Sequence, residues 1–180
     1  MYNFFRIVGF SFITILLLLI IVGLFTSAET QFTLNEIIES PPTVVWRTLI
    51  DVERTPDWDP GVEKIRIASG ANLKKGAEID FYAGAALEEI IYKERIVTFV
   101  PDRHIVFRDV NYKKKPLQKN YIRDYSLKSL LDGSTELSVT VHYTSGSLIT
   151  RILDRIYLRG HTMSRYRSQL SGLKKYIENL

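Results

Sequence analysis

Apolar and polar residues alternate along much of the chain after residue 30, and this period of two predicts β-strands. The clearest case is the stretch 135–145. Its predicted inner face carries Leu137, Val139, Val141 and Tyr143. Because His142 and the other polar residues fall on the opposite face, the strand is predicted to bury one side and expose the other.

Seven such stretches are bounded by turn-forming residues. They are Gln31–Ser40, Val62–Ser69, Glu78–Ala83, Glu88–Val100, His104–Tyr112, Tyr121–Leu131 and Thr135–Ser145. Asp132 and Gly133 predict a tight hairpin turn between the last two strands. After the first strand, Pro42 is suited to the first turn of a short helix, and Asp51–Asp59 predicts a second short helix or turn.

After Gly146 the period changes to about three and a half residues, which predicts one long amphipathic helix running to the C-terminus. Its apolar stripe is Ile149, Ile152, Leu153, Ile156, Met163, Leu170, Leu173 and Ile177. Gly160 and Arg167 occupy two further steps of the same stripe. The predicted class is α+β, with this helix lying against an antiparallel sheet.

The segment Ile7–Ala28 is a run of 22 residues without a charge. As a helix it would be roughly 33 Å long, and a bilayer has a hydrocarbon core of roughly 30 Å. We therefore expect residues 1–28 to form a transmembrane anchor, followed by one domain at 29–180. Arg6 precedes the run and Glu29 follows it, which favours a cytoplasmic N-terminus with the domain on the periplasmic or extracellular side. The alternative is a signal peptide cleaved after the small residues 26–28, which would leave a secreted domain.

Composition argues against several classes of function. The formal net charge of +4 is too small to indicate nucleic-acid binding. Cysteine is absent, the three histidines are scattered, and neither a phosphate-binding loop nor a nucleophile elbow is present. The sequence therefore predicts no metal and no cofactor.

Several stretches, taken in order, resemble one known family. They are Glu39–Trp46, Asp51 with Pro56–Val62, Gly76, Val100–Phe107 and Leu170–Glu178. Together they are similar to the SRPBCC superfamily, also called START-like or Bet v 1-like, and within it to the polyketide cyclase/dehydrase and lipid-transport group. The resemblance covers 31–180 and implies a helix-grip fold, in which a seven-stranded, strongly curved antiparallel sheet surrounds the C-terminal helix. It also implies an internal cavity for a hydrophobic small molecule or lipid.

Nine residues are candidates for lining that cavity. They are Trp46, Trp58, Phe81, Phe107, Tyr125, Tyr143, Tyr157, Gly160 and Arg167. The aromatic side chains have core packing as their alternative. For Arg167 the choice lies between holding an anionic group inside and extending past the edge of the sheet. His161 is the one weak candidate for a general base, against an exposed helix histidine.

A basic loop is predicted between the fifth and sixth strands, and it carries Lys113, Lys114, Lys115 and Lys119. It is either simply solvated or in contact with an anionic membrane surface, where each lysine would contribute on the order of 1 kcal/mol.

Three functions remain open from the sequence. The first is a membrane-tethered protein that binds an apolar molecule or lipid without chemistry. The second is a cyclase, dehydrase or hydrolase that uses Arg167, His161 and a cavity tyrosine. The third is an assembly or stress factor with a filled core that acts by protein contact, through a partner the sequence does not identify.

Overall fold

The computed structural model describes residues 27–68, 73–82, 90–111 and 117–180, together with residues 8, 10, 11, 13, 14, 17, 18, 20, 21, 23 and 25. Within that part of the chain, no helix is both long enough and apolar enough to cross a membrane. Much of the predicted anchor Ile7–Ala28 lies outside the described residues, so the anchor stays a prediction. Lys113, Lys114 and Lys115 also lie outside them.

Seven antiparallel strands form one sheet in the order β1-β7-β6-β5-β4-β3-β2. The strands are β1 Glu29–Ile38, β2 Lys64–Ile67, β3 Glu78–Tyr82, β4 Ile90–Val100, β5 His104–Asn111, β6 Gln118–Ser129 and β7 Thr135–Ser145. The predicted strands are confirmed in number and order, with ends that differ by a few residues. Gly133 has a φ of +85° in the turn between β6 and β7, which confirms the predicted hairpin.

Irregular register bends the sheet at several points. Breaks in pairing fall between Phe81 and Tyr82 on β3, twice on β4, and between Lys119 and Ile122 on β6. Because a bulge bends a strand and increases its twist, these breaks curve the sheet. Its concave side holds the C-terminal helix, and this is the helix-grip arrangement that the family resemblance implies.

Two short helices follow β1, as predicted. They are α1 Pro42–Ile50, with Pro42 in its first turn, and α2 Thr55–Trp58. Helix α2 lies directly on the C-terminal helix at Gly172, where a Cβ atom would fall on the backbone carbonyl oxygen of Trp58. The glycine therefore permits a close approach that no other residue would allow.

The C-terminal helix has three parts: α3 Leu148–Leu153, a π turn at Asp154–Leu158, and α4 Arg159–Glu178. The prediction of one continuous buried stripe was wrong for the first part, since Ile149 is 69% exposed and Ile156 is 73% exposed. A π turn takes up an extra residue, which rotates the following helix by about 100° relative to an uninterrupted α-helix. The apolar stripe of α4 consequently faces the sheet while that of α3 faces outward.

Buried polar contacts hold the π turn against the sheet. The carboxylate of Asp154, only 4% exposed, accepts hydrogen bonds from the Tyr143 hydroxyl on β7 and the Thr30 hydroxyl on β1, each at 2.7 Å. The Tyr143 ring stacks on that of Tyr121 at 5.6 Å between centroids. Burial raises the pKa of Tyr143, so its hydroxyl remains a donor.

Candidate ligand pocket

A cavity of about 30 Å³ lies between the two short helices, the concave side of the sheet and α4. Its apolar lining is Leu49, Val52, Ile65, Leu73, Ile79, Phe81 and Phe107. Its lining residues with polar groups are Thr55, Trp58, Asp59, Arg123, Tyr125 and Gln169. Apolar walls with a few convergent polar groups are typical of small-molecule sites.

Three of the polar residues form a hydrogen-bonded chain across the pocket. The Tyr125 hydroxyl on β6 donates to Gln169 Oε1 on α4 at 2.9 Å, and Gln169 Nε2 donates to Asp59 Oδ2. Asp59 Oδ1 in turn accepts from the backbone N–H of Gly61 at 2.9 Å. The chain therefore links the sheet, the C-terminal helix and the end of α2.

The indole N–H of Trp58 is a buried donor without a hydrogen-bond acceptor among the described residues. Trp58 is 5% exposed and lines the cavity. Leaving a buried donor unpaired costs about 1–3 kcal/mol, and most such groups in folded proteins have a partner. The indole N–H is therefore free to donate to an acceptor that the described residues do not supply.

One residue of the pocket lining, Arg123, belongs to a buried ion pair. Arg123 on β6 donates to the carboxylate of Glu94 on β4, and both side chains are buried. The Arg123 guanidinium lies 4.9 Å from the ring centre of Phe107 and 5.6 Å from that of Phe81. Arg123 Nη1 also donates to the Tyr125 hydroxyl at 3.4 Å. The cation is thus surrounded by aromatic rings and one carboxylate.

Burial controls the ionisation of this group of side chains. It raises the pKa of Glu94, although the positive charge of Arg123 and its hydrogen bond oppose the rise. Burial likewise raises the pKa of Tyr125, which keeps that hydroxyl protonated. Glu94, which contacts the pocket through Arg123, therefore holds a proton more readily than an ordinary glutamate. Tyr125 is a neutral donor in the pocket lining.

An open groove of about 670 Å³ lies on the outer side of Trp58. Its remaining lining is Pro56, Asp57, Pro60, Arg167, Ser168, Ser171, Gly172 and Lys175. Trp58 lines both the inner cavity and this groove. Trp58 therefore lies between the pocket and the groove.

The structure brings four of the nine predicted residues together at the cavity. These are Trp58, Phe81, Phe107 and Tyr125. Trp46 is buried nearby but packs edge-on against Phe99, with ring centres 5.3 Å apart. Tyr143 belongs to the hydrogen-bonded cluster around Asp154 and does not line the cavity.

The four helix candidates lie elsewhere. Tyr157 is 61% exposed and stacks on the ring of His161, which is also exposed. Gly160 is on the surface, and Arg167 is exposed in the outer groove. These residues were predicted to face inward because the apolar stripe of the C-terminal helix was assigned to one continuous face. The general-base candidate His161 consequently lies away from the pocket.

Sequence reasoning missed Asp59, Glu94, Arg123 and Gln169, and for Arg123 and Glu94 a signal was present. Arg123 is two residues from Tyr121 and two from Tyr125, so the period of two places all three on the same face of β6. Because Tyr125 was expected to face inward, Arg123 had to face inward as well. Glu94 likewise shares a face of β4 with buried Ile96, despite the irregular pairing beside it.

Comparison with known proteins agrees with this architecture. A family model described as polyketide cyclase / dehydrase and lipid transport matches residues 29–178. No curated protein matches the chain. Solved structures with a similar fold include the ZhuI aromatase/cyclase from Streptomyces sp. R1128, at 18% identity and a TM-score of 0.63, covering 83% of this chain and 94% of that one.

Two further solved structures share the fold. Ara h 8.0201 is 13% identical with a TM-score of 0.64, and the match covers 84% of this chain and 99% of that one. TTHA0849 from Thermus thermophilus is 16% identical with a TM-score of 0.66, covering 83% of this chain and 98% of that one. At identities this low, the similarity establishes a shared fold.

Proposed function

Because the chain belongs to the polyketide cyclase/dehydrase and lipid transport family of the SRPBCC superfamily, we propose that its pocket binds a small, mostly apolar molecule. The aromatic rings of Phe81 and Phe107 contact the apolar body of this molecule. Its polar end carries a hydrogen-bond acceptor, which meets the indole N–H of Trp58. The polar chain through Tyr125 and Gln169 orients that end.

The unpaired indole N–H of Trp58 is the observation that carries this proposal. A tryptophan that serves only for packing gains nothing from a buried N–H without an acceptor. A ligand acceptor placed against Nε1 removes the unfavourable unpaired state. This requirement favours a molecule with a carbonyl, hydroxyl or anionic oxygen over a pure hydrocarbon.

The cavity must enlarge to admit such a molecule. About 30 Å³ accommodates roughly one water molecule, whereas ligand sites typically enclose about 300–1,000 Å³. One path to the surface passes Trp58, because this residue lines both the cavity and the outer groove. Helix α2 is only four residues long, so moving it disturbs few hydrogen bonds. We assign the entrance to this movement of α2.

A specific observation also favours the enzymatic alternative. Glu94, Arg123 and Tyr125 supply a carboxyl group with a raised pKa, a buried cation and a neutral hydroxyl in one hydrogen-bonded cluster. Arg123 and Tyr125 of this cluster line the cavity. Such a set can donate or accept protons and stabilise a developing negative charge. In this alternative these residues replace His161 and Arg167, which lie outside the cavity. If no small molecule binds, the remaining proposal is an assembly or stress factor that acts by protein contact.

The tether is a separate part of the proposal. The uncharged run Ile7–Ala28 supports a single-pass anchor with the domain on the periplasmic or extracellular side, and cleavage to a secreted form is its alternative. Protease accessibility of the domain in intact cells, together with the mass of the mature N-terminus, distinguishes the two.

Native mass spectrometry of the full chain tests the binding proposal. The chain, released gently from detergent, is expected to retain a lipid or small apolar molecule, or to take one up from a panel of fatty acids and polyaromatic ketones. A chain that stays empty with every member of the panel would contradict binding. Turnover of a bound polyketone that is lost in Glu94→Gln, with binding intact, would favour the enzyme.

A further inference from the structure

An outward apolar face lies on α3 and the π turn. It consists of Ile149, Leu153, Ile156 and Tyr157, whose exposed fractions are 69%, 42%, 73% and 61%. These residues are spaced at four, seven and eight positions from the first, so they form one stripe on the helix surface. Exposed apolar stripes of this kind mark interaction surfaces.

The fold holds this face outward. Asp154 is fixed by its hydrogen bonds from Tyr143 and Thr30, so the π turn cannot rotate its apolar side chains toward the sheet without leaving that carboxylate unpaired. At the start of α3, Ser147 and Thr150 form a reciprocal capping box. Both ends of the segment are therefore anchored by specific contacts, and the outward face is a stable part of the surface.

The polar surroundings of the face are basic. Arg151, Arg155 and Arg159 flank it, and Arg155 is exposed. Between residues 146 and 165 the single acidic residue is Asp154, whose carboxylate is buried. A second copy of the same face would bring these arginines toward one another, which disfavours self-association. The complementary partner is an anionic surface.

The face also lies at the end of the sheet where the apolar N-terminal run enters the domain. The backbone N–H of Ser145 donates to the carbonyl of Ala28 at 2.7 Å, three residues before α3 begins. Gly23 of the N-terminal run lies against Leu148 and Ile152 on α3. Lys119 follows the basic loop in sequence and pairs with Thr144 on β7, so it lies at this same end of the sheet.

We propose that the outward face docks on the surface of a bilayer that contains anionic lipids. The four apolar side chains enter the boundary between headgroups and acyl chains, and Arg155 and Arg159 contact the headgroups. This orientation places the pocket entrance at Gly172 and Trp58 toward the opposite end of the C-terminal helix. The inference goes beyond ligand binding and does not depend on what the pocket holds.

The absence of cysteine from the sequence allows a direct test. Ile156→Cys in the full chain carries an environment-sensitive nitrobenzoxadiazole label, and Leu131→Cys is the matched control. Leu131 is also a fully exposed apolar position. It lies in the hairpin before β7, whereas α3 follows the other end of that strand, about 33 Å away. Both chains are reconstituted into vesicles of phosphatidylcholine and phosphatidylserine that contain a nitroxide-labelled lipid.

We expect the label at position 156 to shift to shorter wavelength and to be quenched several-fold more than the label at 131. Replacing Arg155 and Arg159 by glutamine in the Ile156→Cys chain should reduce that quenching in the anionic vesicles. Equal, water-like emission from the two labels would overturn the proposal. A blue-shifted label at 156 that nitroxide lipid does not quench would also overturn it, because the face would then be covered by protein.

Discussion

Gln169 Nε2 donates a hydrogen bond to Asp59 Oδ2, and this contact joins the middle of the C-terminal helix to the end of α2 across 110 residues of sequence. The same side chain accepts from the Tyr125 hydroxyl through Oε1. One amide therefore satisfies two buried partners on different elements. It holds the short helix α2, and with it Trp58, in place over the pocket.

Replacing Gln169 by methionine should destabilise the domain by about 2–4 kcal/mol, because it leaves the Tyr125 hydroxyl and the Asp59 carboxylate without this partner while keeping the volume. Urea unfolding measures the change. Gln118→Met is the matched control, since Gln118 is half-buried and its amide donates to the Thr162 hydroxyl at 3.2 Å, away from the pocket. Equal losses in the two variants would mean that the chain across the pocket has no special role.

Two glycines of the same helix should respond to alanine in opposite directions. At Gly160 an added Cβ meets no atom within 4 Å, so Gly160→Ala should stabilise the domain by about 0.5–1 kcal/mol through helix propensity. At Gly172 the added Cβ collides with the Trp58 carbonyl oxygen, so Gly172→Ala should destabilise by about 1–3 kcal/mol. Thermal unfolding of both variants checks the pair. Stabilisation by Gly172→Ala would contradict the close approach of α2 to α4.

The pH dependence of stability should contain a contribution from Glu94. Burial raises its folded-state pKa above the ordinary value of 4.5, so the folded protein holds this proton more tightly than the unfolded chain. By linkage, the resulting stability is complete below pH 4.5 and is lost as the pH rises through the raised pKa. Relative to Glu94→Gln, the unmodified protein should therefore lose stability on going from acidic to neutral pH.

Urea midpoints of the two proteins across this pH range supply the measurement. If the unmodified protein instead gained stability relative to Glu94→Gln as the pH rose toward neutral, the ion pair with Arg123 would outweigh the effect of burial. Glu136→Gln is a suitable control, because its carboxylate is partly exposed on β7 beside Lys128 at 3.8 Å.

The sheet was predictable from the sequence because its signal is local. The strands have β-forming residues bounded by turn residues, and on β7 Leu137, Val139 and Val141 alternate with polar residues. Gly133 identifies the adjoining turn. The C-terminal helix was predicted as an element, but its face was not. The π turn changes which face each part of the helix presents. The contact of Asp154 with Thr30 that stabilises this turn spans 124 residues, so local spacing does not indicate it.

The pocket was predictable only in part. Its aromatic wall at Phe81 and Phe107 follows from strand alternation together with the family resemblance. The ion pair of Arg123 with Glu94 depends on the distance between two strands that are not neighbours in the sheet. The small volume depends on how all the lining side chains fill the space, which no pattern of residues encodes.

Trp58 is central to the proposed ligand binding. The chain offers a matched control, because its other tryptophan, Trp46, is equally buried but does not line the cavity. Phenylalanine at either position keeps an aromatic ring and removes the indole N–H. At Trp46 the ring contact with Phe99 is retained.

The decisive measurement is the affinity of the full chain for two fluorescent probes, titrated against Trp58→Phe and Trp46→Phe. Anilinonaphthalene sulfonate carries acceptor oxygens, and N-phenylnaphthylamine has none of comparable strength. We predict that Trp58→Phe weakens sulfonate binding about tenfold, as expected for one lost hydrogen bond to a charged acceptor, and leaves the other probe and the Trp46→Phe variant unchanged. Unaltered sulfonate binding by Trp58→Phe, or equal losses in the two variants, would contradict the assignment of this pocket as the binding site.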